Sequence, residues 1–226
     1  MPRSLLLRLA ALVLATGPLL TAQEAVTYTF KLAGGPATGG LKNPLGNAGF
    51  TFGADLEAAF RLGSGAQLVA GLGWRAFPGD FTVVSSIPFT YAATGVNPTI
   101  YESRVRKPEA QGWQLTGLYR SPLPVWTGAY WQAGLRIGSN RLTETDTGTQ
   151  LVTDGRASTV SGNVLAVNTI AVQRTSTTLS AGAMAGAGYA FGDFTLELNL
   201  WTASVESAVL GKHSGLVSEL AFGFRF

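Results

Sequence analysis

The sequence has no cysteine and one histidine, His213. Without cysteine there is no disulfide framework, no thiolate metal site and no lipid-bearing cysteine. An exported chain of this kind must be held by packing and hydrogen bonds. Charge is also scarce. Only 13% of the 226 residues are charged, against about 25% in soluble domains. Beyond the N-terminus no stretch reads as a helical membrane span. The best candidate, residues 179–190, is mostly Ala and Gly and stops at Gly192-Asp193. Its Gly182 and Gly186 have the spacing of packed membrane helices, but it is short and flanked by strand-like sequence.

What is abundant is apolar surface and glycine: 46% hydrophobic residues and 29 glycines. High hydrophobicity with low charge excludes a disordered chain. The glycine content opposes long helices, because each helical glycine costs about 1 kcal/mol relative to alanine. The first 23 residues read as a secretory leader. Arg3 and Arg8 supply a positive start, residues 9–20 a short apolar run, and Thr21-Ala22-Gln23 a cleavage region. The run is shorter than the roughly 20 residues a spanning helix needs. Without the leader, 14 basic and 13 acidic residues remain, a net charge of +1. No concentrated basic face suggests a nucleic-acid partner.

Across residues 24–226 the recurring signal is period-two alternation, which gives a strand two different faces. Tyr28, Phe30 and Leu32 alternate with Thr29 and Lys31. Phe52, Ala54, Leu56 and Ala58 alternate with Gly53, Asp55 and Glu57. Leu68, Leu72 and Trp74 alternate with Gln67, Gly71, Gly73 and Arg75. The pattern returns around Trp113–Tyr119, Trp131–Ile137, Leu179–Tyr189, Phe194–Leu200 and Leu216–Phe226. That makes eight strands of roughly ten to fourteen residues, long enough to span a membrane. Short connections at Leu62-Gly63-Ser64-Gly65, Ser121-Pro122-Leu123-Pro124 and Phe191-Gly192-Asp193 alternate with long segments at about 34–47, 78–110, 139–176 and 204–215. Short turns on one side and long loops on the other are the layout of outer-membrane barrels. The expected fold is therefore all-β: one eight-stranded antiparallel transmembrane up-and-down barrel. A soluble carrier barrel with its apolar face inside has the same period. The leader, the loop asymmetry and the aromatic ending favour the membrane.

The ending Leu220-Ala221-Phe222-Gly223-Phe224-Arg225-Phe226 carries a family resemblance. The chain resembles the small outer-membrane barrels of the OmpA and OmpX type. In that class, Leu220, Phe222, Phe224 and Phe226 match the terminal-strand signal read by the barrel-insertion machinery. The resemblance implies outer-membrane lipid and lipopolysaccharide as surroundings, and says little about function.

If the apolar face meets lipid, the polar face fills the lumen. Strand direction puts Arg61, Arg120 and Arg225 near the periplasmic ends and Lys31, Arg75 and Arg136 toward the outer ends. Asp55, Glu57, Glu197 and Glu219 fall between. The expected arrangement is an acidic belt paired between two basic rings, forming a structural plug; a narrow gated ion path is the alternative. No cofactor or metal is implied. Glu144-Thr145-Asp146-Thr147-Gly148 hints at a calcium loop but lacks the spaced ligands and distal glutamate. Gly63-Ser64-Gly65 joins strand to strand and is no phosphate loop. Asp154-Gly155 is a hairpin signal, so the third long segment is expected to continue as a ribbon above the membrane. Arg104-Val105-Arg106-Lys107, after Tyr101, forms a small basic patch. The enzyme alternative is a lipid A deacylase-like barrel using His213, Ser214 and Glu219. In that family the His and Ser sit two residues apart; here they are adjacent and would face opposite ways in a strand. The leading expectation is a non-enzymatic structural and surface-binding protein acting through its long loops.

Overall fold

A computed structural model describes residues 26–45, 49–62, 65–80, 82–85, 89–90, 99–154 and 164–226. The expected leader, Gly63-Ser64 of the first short turn, and Gly155 lie outside the described residues. The strands are β1 (Thr27–Pro36), β2 (Phe50–Arg61), β3 (Gln67–Pro78), β4 (Thr82–Ser85), β5 (Phe89–Thr90), β6 (Thr99–Pro122), β7 (Ala129–Thr153), β8 (Val164–Phe191), β9 (Phe194–Ser207) and β10 (Gly211–Arg225).

Eight of them pair antiparallel in a ring. The path runs β3-β2-β1-β10-β9-β8-β7-β6, and β6 pairs back onto β3 from Gln67↔Arg120 to Pro78↔Glu109. β4 and β5 pair with the upper part of β6. Closure leaves no free edge at membrane depth, where no water could satisfy one. The last residue joins the ring as well: Phe226 N–H donates to Tyr28 O at 3.0 Å.

Side-chain exposure settles which face looks out. Leu135 is 63% exposed and Leu220 57%, whereas Lys31, Arg75, Glu197 and Glu219 are each 1% exposed or less. A water-soluble barrel would invert this, because apolar surface is driven out of water. Aromatics crowd the rim bearing the short turns. Phe194 lies 5.5 Å from both Phe222 and Phe224, Tyr28 stacks on Phe226 at 6.1 Å, and Tyr119 meets Trp131 at 5.6 Å. Phe52 and Trp74 pair at 6.0 Å toward the other rim. Amphipathic rings at both boundaries are expected of a membrane barrel.

Among the described residues, the segments expected as long loops contain more regular structure. The fourth is a three-residue turn between Ser207 and Gly211. Much of the second and third is strand. β6, β7 and β8 continue together past the lipid belt, from Trp113↔Ser139↔Leu179 up to Thr99↔Thr153↔Val164. Fourteen residues at about 3.4 Å each give a blade of roughly 45 Å, its three long strands flanked by β4 and β5 on β6. The ribbon expected of the third long segment is formed by β7 and β8. Alternating apolar residues do not mark it, because polar side chains occupy both of its faces. In their place stands a row of β-branched residues, Thr143, Thr145, Thr147 and Thr149, suited to a pleated surface. Residues 179–190 are strand, not helix.

The first long segment does not project. Its 3-10 turn Gly39–Leu41 and one-turn helix Lys42–Leu45 fold into the outer mouth, with Leu41 and Leu45 fully buried. Gly39 sits at φ 70°, a left-handed conformation that favours glycine.

Candidate functional site: the filled lumen and the two mouths

Inward-facing charges form two mixed clusters that cross the barrel. The cluster nearer the short turns joins β1, β2, β6 and β9. Lys31 Nζ lies 2.6 Å from Glu57 Oε2 and 2.6 Å from Glu197 Oε1; Arg120 Nη2 lies 3.0 Å and 3.1 Å from the same two oxygens. Tyr130 OH donates to Glu197 Oε1 at 2.7 Å, and Gln132 Nε2 donates to Glu197 Oε2 at 2.9 Å and to Asn199 Oδ1 at 2.7 Å. Arg120 stacks 4.7 Å above the Tyr130 ring and donates to Gln132 Oε1 at 2.8 Å.

The second cluster joins β2, β3, β7 and β10. Arg75 grips two carboxylates bidentately: Asp55 through Nη1 at 2.8 Å and Nη2 at 2.6 Å, and Glu219 through Nε at 2.8 Å and Nη2 at 2.7 Å. Such forked pairs are the strongest that arginine forms. Trp201 Nε1 donates to Glu219 Oε2 at 3.2 Å. Arg136 is held more loosely. Its guanidinium sits 4.4 Å over the Trp201 ring and 3.8 Å from Glu219, and its Nε and Nη1 have no hydrogen-bond partner among the described residues.

Both clusters are neutral, with two cations and two carboxylates each. This replaces the expected layering of an acidic belt between basic rings. Lys31 belongs with Arg120, not with Arg75 and Arg136. Arg61 and Arg225 are in neither cluster: Arg61 is exposed at the rim, and half-buried Arg225 donates from its guanidinium to Gly192 O. Strand order from sequence assigns coarse heights. It cannot show that strand stagger brings Lys31 across the lumen to Glu197, 166 positions away. Glycines make room for the long side chains. Asp55 faces Gly73, Glu57 faces Gly71, and Arg136 faces Gly182; a Cβ at Gly73 would collide with the Asp55 carboxylate.

Above the charges the lumen turns apolar, which the sequence reading did not anticipate. Leu41 and Leu45 share a buried cluster with Phe77, Leu142, Trp201, Val205 and Val217. Phe77 meets Trp201 edge-on at 6.3 Å. Trp201 and Val205 lie at inward parity on β9, so their position was readable. That apolar residues should face inward required the folded first loop.

The other expected motifs resolve into structural roles. His213 Nε2 contacts Leu210 O at 3.1 Å, Ser214 Oγ pairs with Ser204 Oγ at 2.7 Å, and Glu219 is committed to Arg75. His213 and Ser214 occupy opposite strand faces, so no nucleophile–base pair forms. The calcium-like run lies within β7. Glu144 accepts from Ser207 Oγ at 2.8 Å and Ala208 N at 3.0 Å, capping the outer turn. Asp146 accepts from Arg106 at 2.8 Å and Arg174 at 2.7 Å, with Arg104 at 3.6 Å. These hydrogen bonds, that of Arg106 foremost, hold the Asp146 carboxyl below its ordinary range. The basic patch is divided between faces: Arg104 and Arg106 turn to Asp146, while Lys107 pairs with Glu109 on the other side at 2.8 Å.

No protein-family model matches the chain, and no curated protein matches it. Similar solved structures include Ail, the attachment invasion locus protein of Yersinia pestis, at 9% identity, covering 90% of this chain and 100% of that one with TM-score 0.45. Neisserial surface protein A is 15% identical over the same shares, with TM-score 0.45. The N-terminal β-barrel domain of Pseudomonas aeruginosa OprF is 13% identical over the same shares, with TM-score 0.37. None of these likenesses bears on what this chain binds. That its fold is an eight-stranded barrel of the small outer-membrane type follows from its own closed strand ring and outward apolar belt.

Proposed function

We propose that the chain is a non-enzymatic outer-membrane protein whose barrel is a rigid, closed pedestal and whose blade is the working part. The observation that carries this is the continuation of β6, β7 and β8 about 45 Å beyond the lipid belt. A pedestal alone needs no such extension, and surfaces held out on a rigid scaffold are where binding resides. Exposed Val164, Leu165, Val167 and Val172 give β8 an apolar character away from any core, as expected of an interaction surface. The leader at residues 1–23 delivers the chain to export. The outward row Leu220, Phe222, Phe224 and Phe226 is offered to the insertion machinery, and outer-membrane lipid with lipopolysaccharide surrounds the belt.

The test shortens the blade in register, removing 101–107, 145–151 and 167–173 together. Cells carrying the shortened chain keep the heat-modifiable gel mobility of a folded barrel and lose adhesion to apolar surfaces, the class that exposed Val164, Leu165 and Val167 would favour. Equal adhesion by both forms removes the role assigned to the blade. Recovery of the full chain in the soluble periplasmic fraction removes the membrane assignment.

A further inference from the structure

The periplasmic mouth holds a site that neither the plug nor the blade explains. A cavity of about 170 Å³ opens there, lined among others by Thr29, Gln67, Arg120, Tyr130, Thr195 and Arg225. No carboxylate lines it among the described residues. Arg120 is already neutralised within a cluster of two cations and two carboxylates. Arg225 lines the cavity outside that cluster; its guanidinium contact is to a backbone carbonyl, that of Gly192. Exposed Arg61 adds to the same rim through the neighbouring register pair Arg61↔Gln67.

Half-buried Gln67 also lines the cavity and adds a neutral amide to its wall. The donors available are a guanidinium, hydroxyls and the Gln67 amide. Guanidinium and hydroxyl donors with no competing acid match a planar or tetrahedral oxyanion.

We propose that this mouth binds a small oxyanion group, phosphate or carboxylate, presented from the periplasmic side, with Arg225 as the charged contact and the Gln67 amide as a neutral donor. The group comes either from a soluble solute or from an inner-leaflet phospholipid headgroup, and both offer the same chemistry to Arg225.

The experiment uses the full folded chain in a phosphate-free maltoside detergent at low salt. Inorganic phosphate and acetate are titrated calorimetrically. Arg225→Gln weakens the tighter of the two by about tenfold, as expected from losing one charge-assisted hydrogen bond. Gln67→Leu weakens it less, and Arg106→Gln on the distant blade leaves it unchanged. Heat-modifiable mobility verifies that each variant is folded. In nanodiscs, phosphate binding that persists identifies a soluble ligand; binding abolished by phospholipid but retained in maltoside identifies the headgroup. Absence of binding by the wild-type chain to either probe overturns the proposal, as does equal binding by wild type, Arg225→Gln and Gln67→Leu.

Discussion

At the scale of single residues, the two neutral clusters make unequal demands on their members. Arg75 is 0% exposed and satisfies Asp55 and Glu219 through four hydrogen bonds. Replacing it with leucine leaves two buried carboxylates facing only Arg136. Removal of one partner from a buried pair costs about 3–5 kcal/mol, and Arg75→Leu is expected at that level in urea unfolding from lipid vesicles. Arg136→Leu should cost distinctly less. Its ion pair is 3.8 Å long and two of its guanidinium nitrogens go unsatisfied, so desolvation already offsets much of what it contributes. Equal losses for the two variants would show that the clusters act only through total charge. The identities of all four cluster cations could be read from alternation in the sequence, because each falls at inward parity between lipid-facing residues. Their pairing could not, since parity assigns a face and says nothing about which side chain across the lumen lies within 3 Å.

At the scale of elements, the contrast lies between strands with an apolar face toward lipid and the blade strands, which carry polar side chains on both faces. The lipid-facing segments announce themselves because one face must be apolar. The blade does not: Arg104, Arg106 and Asp146 occupy one of its faces, and Lys107, Glu109 and the threonine row the other. Its hold depends on the backbone ladder and on cross-strand pairs, among which the Asp146 cluster ties β6, β7 and β8 together. This has a pH consequence with a definite sign. Asp146 is depressed in the folded blade, so between its folded value and the unfolded value near 3.9 the unfolded blade binds more protons. The stabilisation is fully present above about pH 3.9 and is lost as pH falls through the lower folded value. Amide exchange at residues 144–148 should stay protected down to that range and rise below it. Asp146→Asn should abolish that step while raising exchange at neutral pH. A step that persists in the variant would assign the acid sensitivity to another carboxylate.

At the scale of the whole molecule, three layers close the lumen in series: the Lys31 cluster, the Arg75 cluster, and the apolar cap formed by Leu41 and Leu45 on Phe77 and Trp201. An ion would have to displace paired charges and then cross an apolar constriction. Planar-bilayer recordings should accordingly show no steady conductance for the wild-type chain. A conductance abolished by Glu57→Gln or Glu219→Gln would instead make these carboxylates part of a permeation path and remove the plug.

Alternation, turn residues and the spacing of the eight segments determined by themselves that the chain forms a closed antiparallel barrel with two unlike faces; which face looks inward is read from side-chain exposure. The reason is physical: a period of two is the backbone's own, and a membrane enforces it on every spanning strand. Tertiary structure alone decided three matters. It decided which charges meet, because strand stagger joins residues far apart in the chain. It decided that the first long segment folds into the outer mouth, because the inward-facing Trp201, Val205 and Val217 need an apolar partner. And it decided that the second long segment joins the ribbon of the third in one blade, because polar residues on both faces leave β6 without an apolar stripe to place it.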